Sequence, residues 1–357
     1  MTLKEKIKKS ALVTGIIFLA LGILFSCKKN NMELMGAGAT FPAPLYYKMF
    51  DSYAKDHGVK INYQSVGSGA GIKQFISKTV DFGGSDAPMN DKEIESAGAE
   101  VLHIPTCIGA IVMSYNVPGL KTTLKLTSEI ISGIYLGEIR KWNDPKIEKV
   151  NPGAGLPDKD IAVIHRADSS GTTYNFTVYL SSVNAKWKNG NGLGISKSPS
   201  WPVGLGGKGN EGVAAYVNQV AYSIGYIEIA YALQNKMTVS MLQNKSGNFI
   251  DGHSYEAIAE AANINIPADG KVNIVDTVAA NGYSIAATTW ILLYKDQSFV
   301  KNREKAQALV EAIWWMIHEG QSLNESTGYA KLSSKAVKVG EDLLKSVIFD
   351  GKPLLNK

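Results

Sequence analysis

Three times in this chain a run of strand character breaks at a short loop of glycine, serine and threonine, then resumes with helical spacing. "MELMGAGA" leads through Thr40-Phe41 into "PAPLYYKMFDSYAKDHG"; "KINYQSV" leads through Gly67, Ser68, Gly69 and Gly71 into "GIKQFISKTVD"; "DIAVIHR" leads through Ser170, Gly171 and Thr172 into "TTYNFTVYLSSV". A strand passed to a helix through a tight loop is the building block of an α/β sheet, so the pattern predicts an α/β fold with mostly parallel sheets and helices on both faces. The remaining runs agree. "VLHIP" and "IGAIVMSYNV" read as two apolar strands, "YSIAATTWILLYKD" as a buried strand, and "SEIISGIYLG" and "KAQALVEAIWWMIHEGQSL" as helices. Residues 186–212, rich in glycine, read as an irregular stretch that shapes a loop.

At 357 residues the chain exceeds what one core usually supports, roughly 250–300 residues, and about two domains are expected. The net charge is +5, of which the first ten residues carry +3 through Lys4, Lys6, Lys8 and Lys9 against Glu5. So small and scattered a remainder excludes a nucleic-acid footprint. The N-terminus reads as a targeting segment: a basic stretch, then the apolar run Ala11–Phe25, too short for a comfortable membrane span of about 20 residues. The run ends in "LFSC", which resembles a bacterial lipoprotein cleavage box with lipid attachment at Cys27, although Phe25 is bulkier than that pattern favours; an ordinary secretory peptide or an uncleaved anchor is the alternative. The other cysteine, Cys107, is then left without a disulfide partner and is expected to be a small buried hydrophobe. The five histidines show no metal spacing, and neither a metal nor a cofactor is expected.

Each of the three loops opens a helix, where unpaired N–H groups and the positive end of the helix dipole face outward. Converging, they would suit a small tetrahedral oxyanion. Taken singly, each is equally a capped helix start. Nucleotide motifs fail: "GSGAGI" has Ile72 where a dinucleotide fingerprint needs glycine, and "GGKGN" has Gly209 where a P-loop needs Ser or Thr. In "HRADSSGTTYNF", Arg166 can give a forked pair to an oxyanion, and Asp168 can hold the guanidinium. A surface Arg–Asp pair, or a Ser170 nucleophile of an exported phosphatase or phosphotransferase, is the alternative. The latter lacks an activating base, because strand alternation turns His165 to the other sheet face. Asp86 in "VDFGGSDAP" is out of place beside an anion unless that anion carries a proton for it to accept. A phosphate does so and a fully ionised sulfate does not, although a carrier for another tetrahedral oxyanion stays open at this point.

"GAGATFPAP", "VDFGGSDAP", "RADSSGTT", "WPVGLGGKGNEG" and "SIGYIEIAYA" occur in the order and form of the phosphate-binding proteins of bacterial high-affinity phosphate ABC transporters, and from Gly36 onward the chain resembles that family. It departs at "GSGAG", where Ser68 nevertheless keeps its place. The resemblance implies a two-lobed periplasmic-binding-protein fold of type II-like form, with the ligand cleft between the lobes. Its divisions would be a signal peptide over 1–27, a tether over 28–35, lobe 1 over 36–112 and 290–357, and lobe 2 over 113–289. It implies a non-catalytic carrier: a lipid-anchored, monomeric protein of the periplasm or cell envelope that captures inorganic phosphate and docks on the membrane permease of the transporter. It implies phosphate contacts from Thr40 and the Phe41 N–H, from Ser68, from Arg166 oriented by Asp168, and from N–H groups of Ser170, Gly171 and Thr172 with their two hydroxyls. Asp86 would accept the phosphate proton.

Overall fold

A computed structural model describes residues 32–355. Cys27 and the targeting segment lie outside the described residues. The first strand-to-helix unit runs from β1 (Glu33–Gly38) to α1 (Ala43–His57), which opens behind Pro42 and stops at Gly58 in the left-handed region, φ 73°. β2 (Lys60–Ser65) passes to α2 (Ser68–Ile76) and on to β3 (Phe82–Ser85). α2 is shorter than the expected span and excludes Val80, yet it begins earlier, at Ser68.

"VLHIP" and "IGAIVMSYNV" form one strand, β4 (Val101–Asn116), which runs straight through Pro105. The ladder accommodates the missing N–H with a register shift. Trp290 faces Pro105 and Thr289 faces Cys107, so Thr106 is the extra residue of a bulge. The Thr106 hydroxyl donates to the Thr289 carbonyl at 3.2 Å and ties the irregularity down.

The chain continues through β5 (Ala162–Arg166), α3 (Gly171–Val183), β6 (Leu205–Gly207), α4 (Gly209–Gln219), β7 (Ser223–Glu228), β8 (Ala286–Tyr294), α5 (Arg303–Ile317) and α6 (Ser334–Lys345). The main sheet has the order β2-β1-β3-β8-β4-β7-β5-β6, with a short strand, Thr238–Val239, also on β4. Its two ends are parallel, as the strand-to-helix units require, but its centre is antiparallel: β8 pairs antiparallel with β3 and β4, and β4 with β7. The sheet is therefore mixed rather than mostly parallel. β4 changes partner midway, facing β8 as far as Ala110 and β7 from Ile111 onward. Two sheet wings thus share one strand, each covered by its own helices. The stretch 186–212 is more ordered than expected, since it includes β6 and the start of α4.

The buried core runs continuously through both wings, and β4 is buried from Leu102 to Tyr115. Helix α2 lies directly on the backbone of β1. A Cβ at Gly71 would fall 2.3 Å from the Gly38 Cα and 2.7 Å from the Ala37 carbonyl oxygen, so only glycine permits this approach. Gly71→Ala is therefore expected to destabilise the protein by roughly 1–3 kcal/mol through overpacking, read as a lower thermal-unfolding midpoint. An unchanged midpoint would mean that α2 can withdraw from β1 at no cost.

Candidate functional site

β5 ends at Arg166, whose side chain is 1% exposed. Its Nε donates to Asp168 Oδ1 at 2.7 Å, its Nη2 to Asp168 Oδ2 at 2.5 Å, and its Nη1 to Thr172 Oγ1 at 3.3 Å. A guanidinium has five N–H donors, so two remain for another partner. Asp168 also accepts the Gly209 N–H at 3.0 Å. Burial alone would raise the Asp168 carboxyl, but the Arg166 hydrogen bonds and charge, together with Gly209, hold it below its ordinary value.

The three loops meet here. A Cβ on Gly171, at the start of α3, would lie 2.4 Å from Ser68 Oγ and 2.7 Å from Asp86 Oδ2. The Gly69 N–H, at the start of α2, donates to the Ser169 carbonyl at 2.9 Å. Asn210 in α4 bridges the other pair, its Nδ2 donating to Thr40 Oγ1 at 2.8 Å and to Thr172 Oγ1 at 3.2 Å. Its backbone N–H reaches Thr40 Oγ1 at 3.2 Å, and its own Oδ1 accepts the Glu228 N–H at 3.0 Å.

Proton counting fixes what the two threonines can do. Thr40 Oγ1 accepts from Asn210 twice, and Thr172 Oγ1 accepts from Arg166 and Asn210. A hydroxyl has two lone pairs and one hydrogen. With both lone pairs occupied, each hydroxyl can act toward a third group only as a donor. Both residues are buried.

Asp86 is 1% exposed. Its Oδ1 accepts the Thr289 hydroxyl at 2.6 Å, whereas Oδ2 has only a long contact with the Ser68 hydroxyl at 3.5 Å and keeps capacity to accept. Burial pushes its carboxyl up to about 7, against the opposing pull of Thr289, Arg166 and Ser68. Asn175 in α3 donates to the Asp86 carbonyl at 2.6 Å and to the Gly171 carbonyl at 3.0 Å, which holds the acid against the helix start.

The Thr40–Phe41 backbone is gripped from outside. Tyr231 donates to the Thr40 carbonyl at 2.7 Å, and Tyr329 to the Phe41 carbonyl at 2.6 Å. Tyr231 thus polarises the peptide that carries the Phe41 N–H.

Ser170 differs from expectation. Its N–H is committed to the Lys197 carbonyl at 2.9 Å and so cannot serve a ligand. Its hydroxyl oxygen caps α3 by accepting the Thr173 N–H at 3.0 Å, and the hydroxyl hydrogen remains to donate. His165 stacks on Trp201, ring centroids 4.9 Å apart, with Nδ1 3.0 Å from the Arg166 carbonyl oxygen. Cys107 is buried and free. Among the described residues, no group of three or more His, Cys, Asp or Glu could hold a metal ion.

A family profile described as a PBP superfamily domain matches residues 28–313. Phosphate-binding protein PstS of Pasteurella multocida is 40% identical over 351 residues, 97% of this chain and 99% of the relative. The chain belongs to the PstS phosphate-binding protein family. PstS of Haemophilus influenzae is 42% identical over 322 residues, 89% of this chain and 94% of the relative. Among solved structures, the PfluDING periplasmic phosphate-binding protein bound with phosphate matches with a TM-score of 0.68 at 18% identity, over 87% of this chain and 93% of that one. An ABC-type phosphate transport receptor from Vibrio cholerae matches with a TM-score of 0.54 at 20% identity, over 84% and 100%. These likenesses show the two-lobed fold.

The sequence alone did not single out Asn210, Thr289, Asn175, Tyr231 or Tyr329. Asn210 stands in "WPVGLGGKGNEG" and Tyr231 in "SIGYIEIAYA", so those two lie in motifs already singled out as family-like.

Asp86 makes stability depend on pH. Its folded value of about 7 lies above the ordinary 3.8. Its stabilising contribution is therefore complete below the ordinary value and is lost as pH rises through about 7. Between about pH 4 and pH 8 the ligand-free protein should lose stability that Asp86→Asn does not lose, as measured by denaturant titration. Parallel profiles for the two proteins would overturn this.

Proposed function

We propose that this chain captures inorganic phosphate in the periplasm and delivers it to the membrane permease of an ABC transporter. The observation that carries this reading is the pairing of forced donors with one buried acceptor. Two free guanidinium hydrogens on Arg166 and the hydroxyls of Thr40 and Thr172 can only donate, while Asp86 Oδ2 has room to accept. A phosphate that retains a proton satisfies both sides, whereas a fully ionised sulfate leaves Asp86 facing a bare oxygen. The names of the relatives, phosphate-binding protein PstS and an ABC-type phosphate transport receptor, support the same ligand and route.

In this reading Thr40, the Phe41 N–H, Ser68, Arg166, the Ser170 hydroxyl, the Gly171 N–H and Thr172 donate to phosphate. Asp86 accepts its proton, and Asp168 aims Arg166. We place lobe 1 at residues 36–112 and 290–357 and lobe 2 at 113–289, near the point where β4 exchanges β8 for β7. Phosphate then favours the closed form because donors from both lobes reach it only there. The protein acts as a monomer held to a membrane by a lipid on Cys27, after removal of residues up to 26. No helix among the described residues is long and apolar enough to cross a membrane. The reading calls for no cofactor and no catalysis.

Calorimetry on the purified protein should show phosphate binding that sulfate does not displace, and absence of phosphate binding would overturn the proposal. Asp86→Asn should keep phosphate binding and admit sulfate as a competitor. Arg166→Ala should weaken phosphate by at least about a hundredfold, because two charge-assisted bonds are lost.

A further inference from the structure

A second buried acid lies beneath the Thr40–Phe41 loop. Glu228, the last residue of β7, is fully buried where the two sheet wings meet, in register with Ile111 of β4. Its Oε2 accepts the Ala230 N–H at 2.9 Å and lies 3.0 Å from the Tyr329 hydroxyl oxygen. That same hydroxyl lies 2.6 Å from the Phe41 carbonyl oxygen. Glu228 Oε1 is buried with no hydrogen-bond partner and faces the Cα side of Gly109, where a Cβ would stand 3.1 Å away.

One tyrosine hydrogen cannot serve two acceptors. A carbonyl oxygen only accepts, and so does an ionised carboxylate. If Tyr329 gave its hydrogen to Glu228, two lone-pair oxygens would face each other at 2.6 Å across the Phe41 contact. If it gives the hydrogen to Phe41, the 3.0 Å contact to Glu228 needs a hydrogen from the acid. Only a protonated carboxyl oxygen can accept from Ala230 and donate to Tyr329 at once. The partnerless Oε1 agrees, since an unpaired neutral carbonyl costs less to bury than an unpaired carboxylate oxygen.

We infer that Glu228 is a neutral carboxylic acid at neutral pH, and that its O–H, relayed through Tyr329, positions the Thr40–Phe41 loop that donates to the anion. The titratable groups around it are Asp86, Cys107, Tyr231 and Tyr329, and none of them supplies a positive charge. Arg166 is committed to Asp168. Burial first, and the Asp86 charge in addition, push the Glu228 carboxyl well above its ordinary range. The backbone of Glu228 also fixes Asn210, so this one residue supports Thr40 and Thr172 by a second path. An ionised Glu228 would instead add a bare negative charge under an anion site. Glu228 is thus a positioning residue, and its role in affinity rests on the phosphate reading above.

Two measurements on the full chain test this. Infrared difference spectra of phosphate-free wild type minus Glu228→Gln at neutral pH should show the carbonyl band of a protonated carboxyl. Its absence would overturn the inference whether or not the protein binds phosphate. In phosphate titrations, Glu228→Gln should raise Kd several-fold, to about tenfold, because both contacts fall on the one Oε2 position and no single amide atom can both accept from Ala230 and donate to Tyr329; an unchanged Kd would overturn the positioning role. Tighter binding would mean that a buried negative charge had been removed, and would overturn it. Should Glu228→Gln fail to fold, Tyr329→Phe decides: the carboxyl band should shift as the acid loses its acceptor, and an unshifted band would refute the relay.

Discussion

A guanidinium cannot be buried alone, and most of the site's arrangement follows from how Arg166 is accommodated. Taking an ion from water costs several kcal/mol unless a counter-charge and hydrogen bonds replace the solvent. Asp168 supplies both in a forked geometry, and the Gly209 N–H secures Asp168 in turn. The pair is close to neutral as a unit. On the proposed reading, an anion arriving here meets little net positive charge, and beyond the two free Arg166 hydrogens it must be held by neutral donors fixed in place. This explains why so many side chains surround Thr40 and Thr172 merely to occupy their lone pairs, and why tyrosines hold the carbonyls of the Thr40–Phe41 loop. The two buried acids carry raised proton affinities because both are withdrawn from water, and at Glu228 the Asp86 charge adds to that effect.

Much of this was legible in the chain because it is local. Arg166 and Asp168 stand two residues apart, and each Gly/Ser/Thr loop sits beside the helix whose start it opens. The strand and helix runs were legible for the same reason. What escaped were pairings made by the fold. Asn210 meets Thr40 across 170 residues, Thr289 meets Asp86 across 203, and Tyr329 meets Phe41 across 288. No spacing rule reaches that far. Pro105 misled for a definite reason: proline normally breaks a ladder, but here a bulge at Thr106 absorbs it and one long strand survives. The antiparallel centre of the sheet escaped too, because strand direction is a property of how the chain returns and not of any one strand's residues.

Glycine plays two separate parts in the same loops. At Gly71 it lets a helix lie on bare backbone, a packing role that a sequence reader can mistake for ligand access. At Gly171 it lets one loop press against Ser68 and Asp86 of another, so that groups from distant segments share one small volume. Both needs are steric, and neither shows in the local pattern of strand, loop and helix.

The position of β8 has a consequence for the order of assembly. It lies between β3 and β4 in the sheet, yet its residues come last among the strands of the main sheet. β3 and β4 are made early and must wait for Ala286–Tyr294 before their shared edge is filled. Through the synthesis of the whole intervening wing, the first wing stays open at its middle. Closing so long a loop is slow relative to local pairing. The first wing therefore cannot lock until the second has been made, so the completion of one wing is tied to the synthesis of the other.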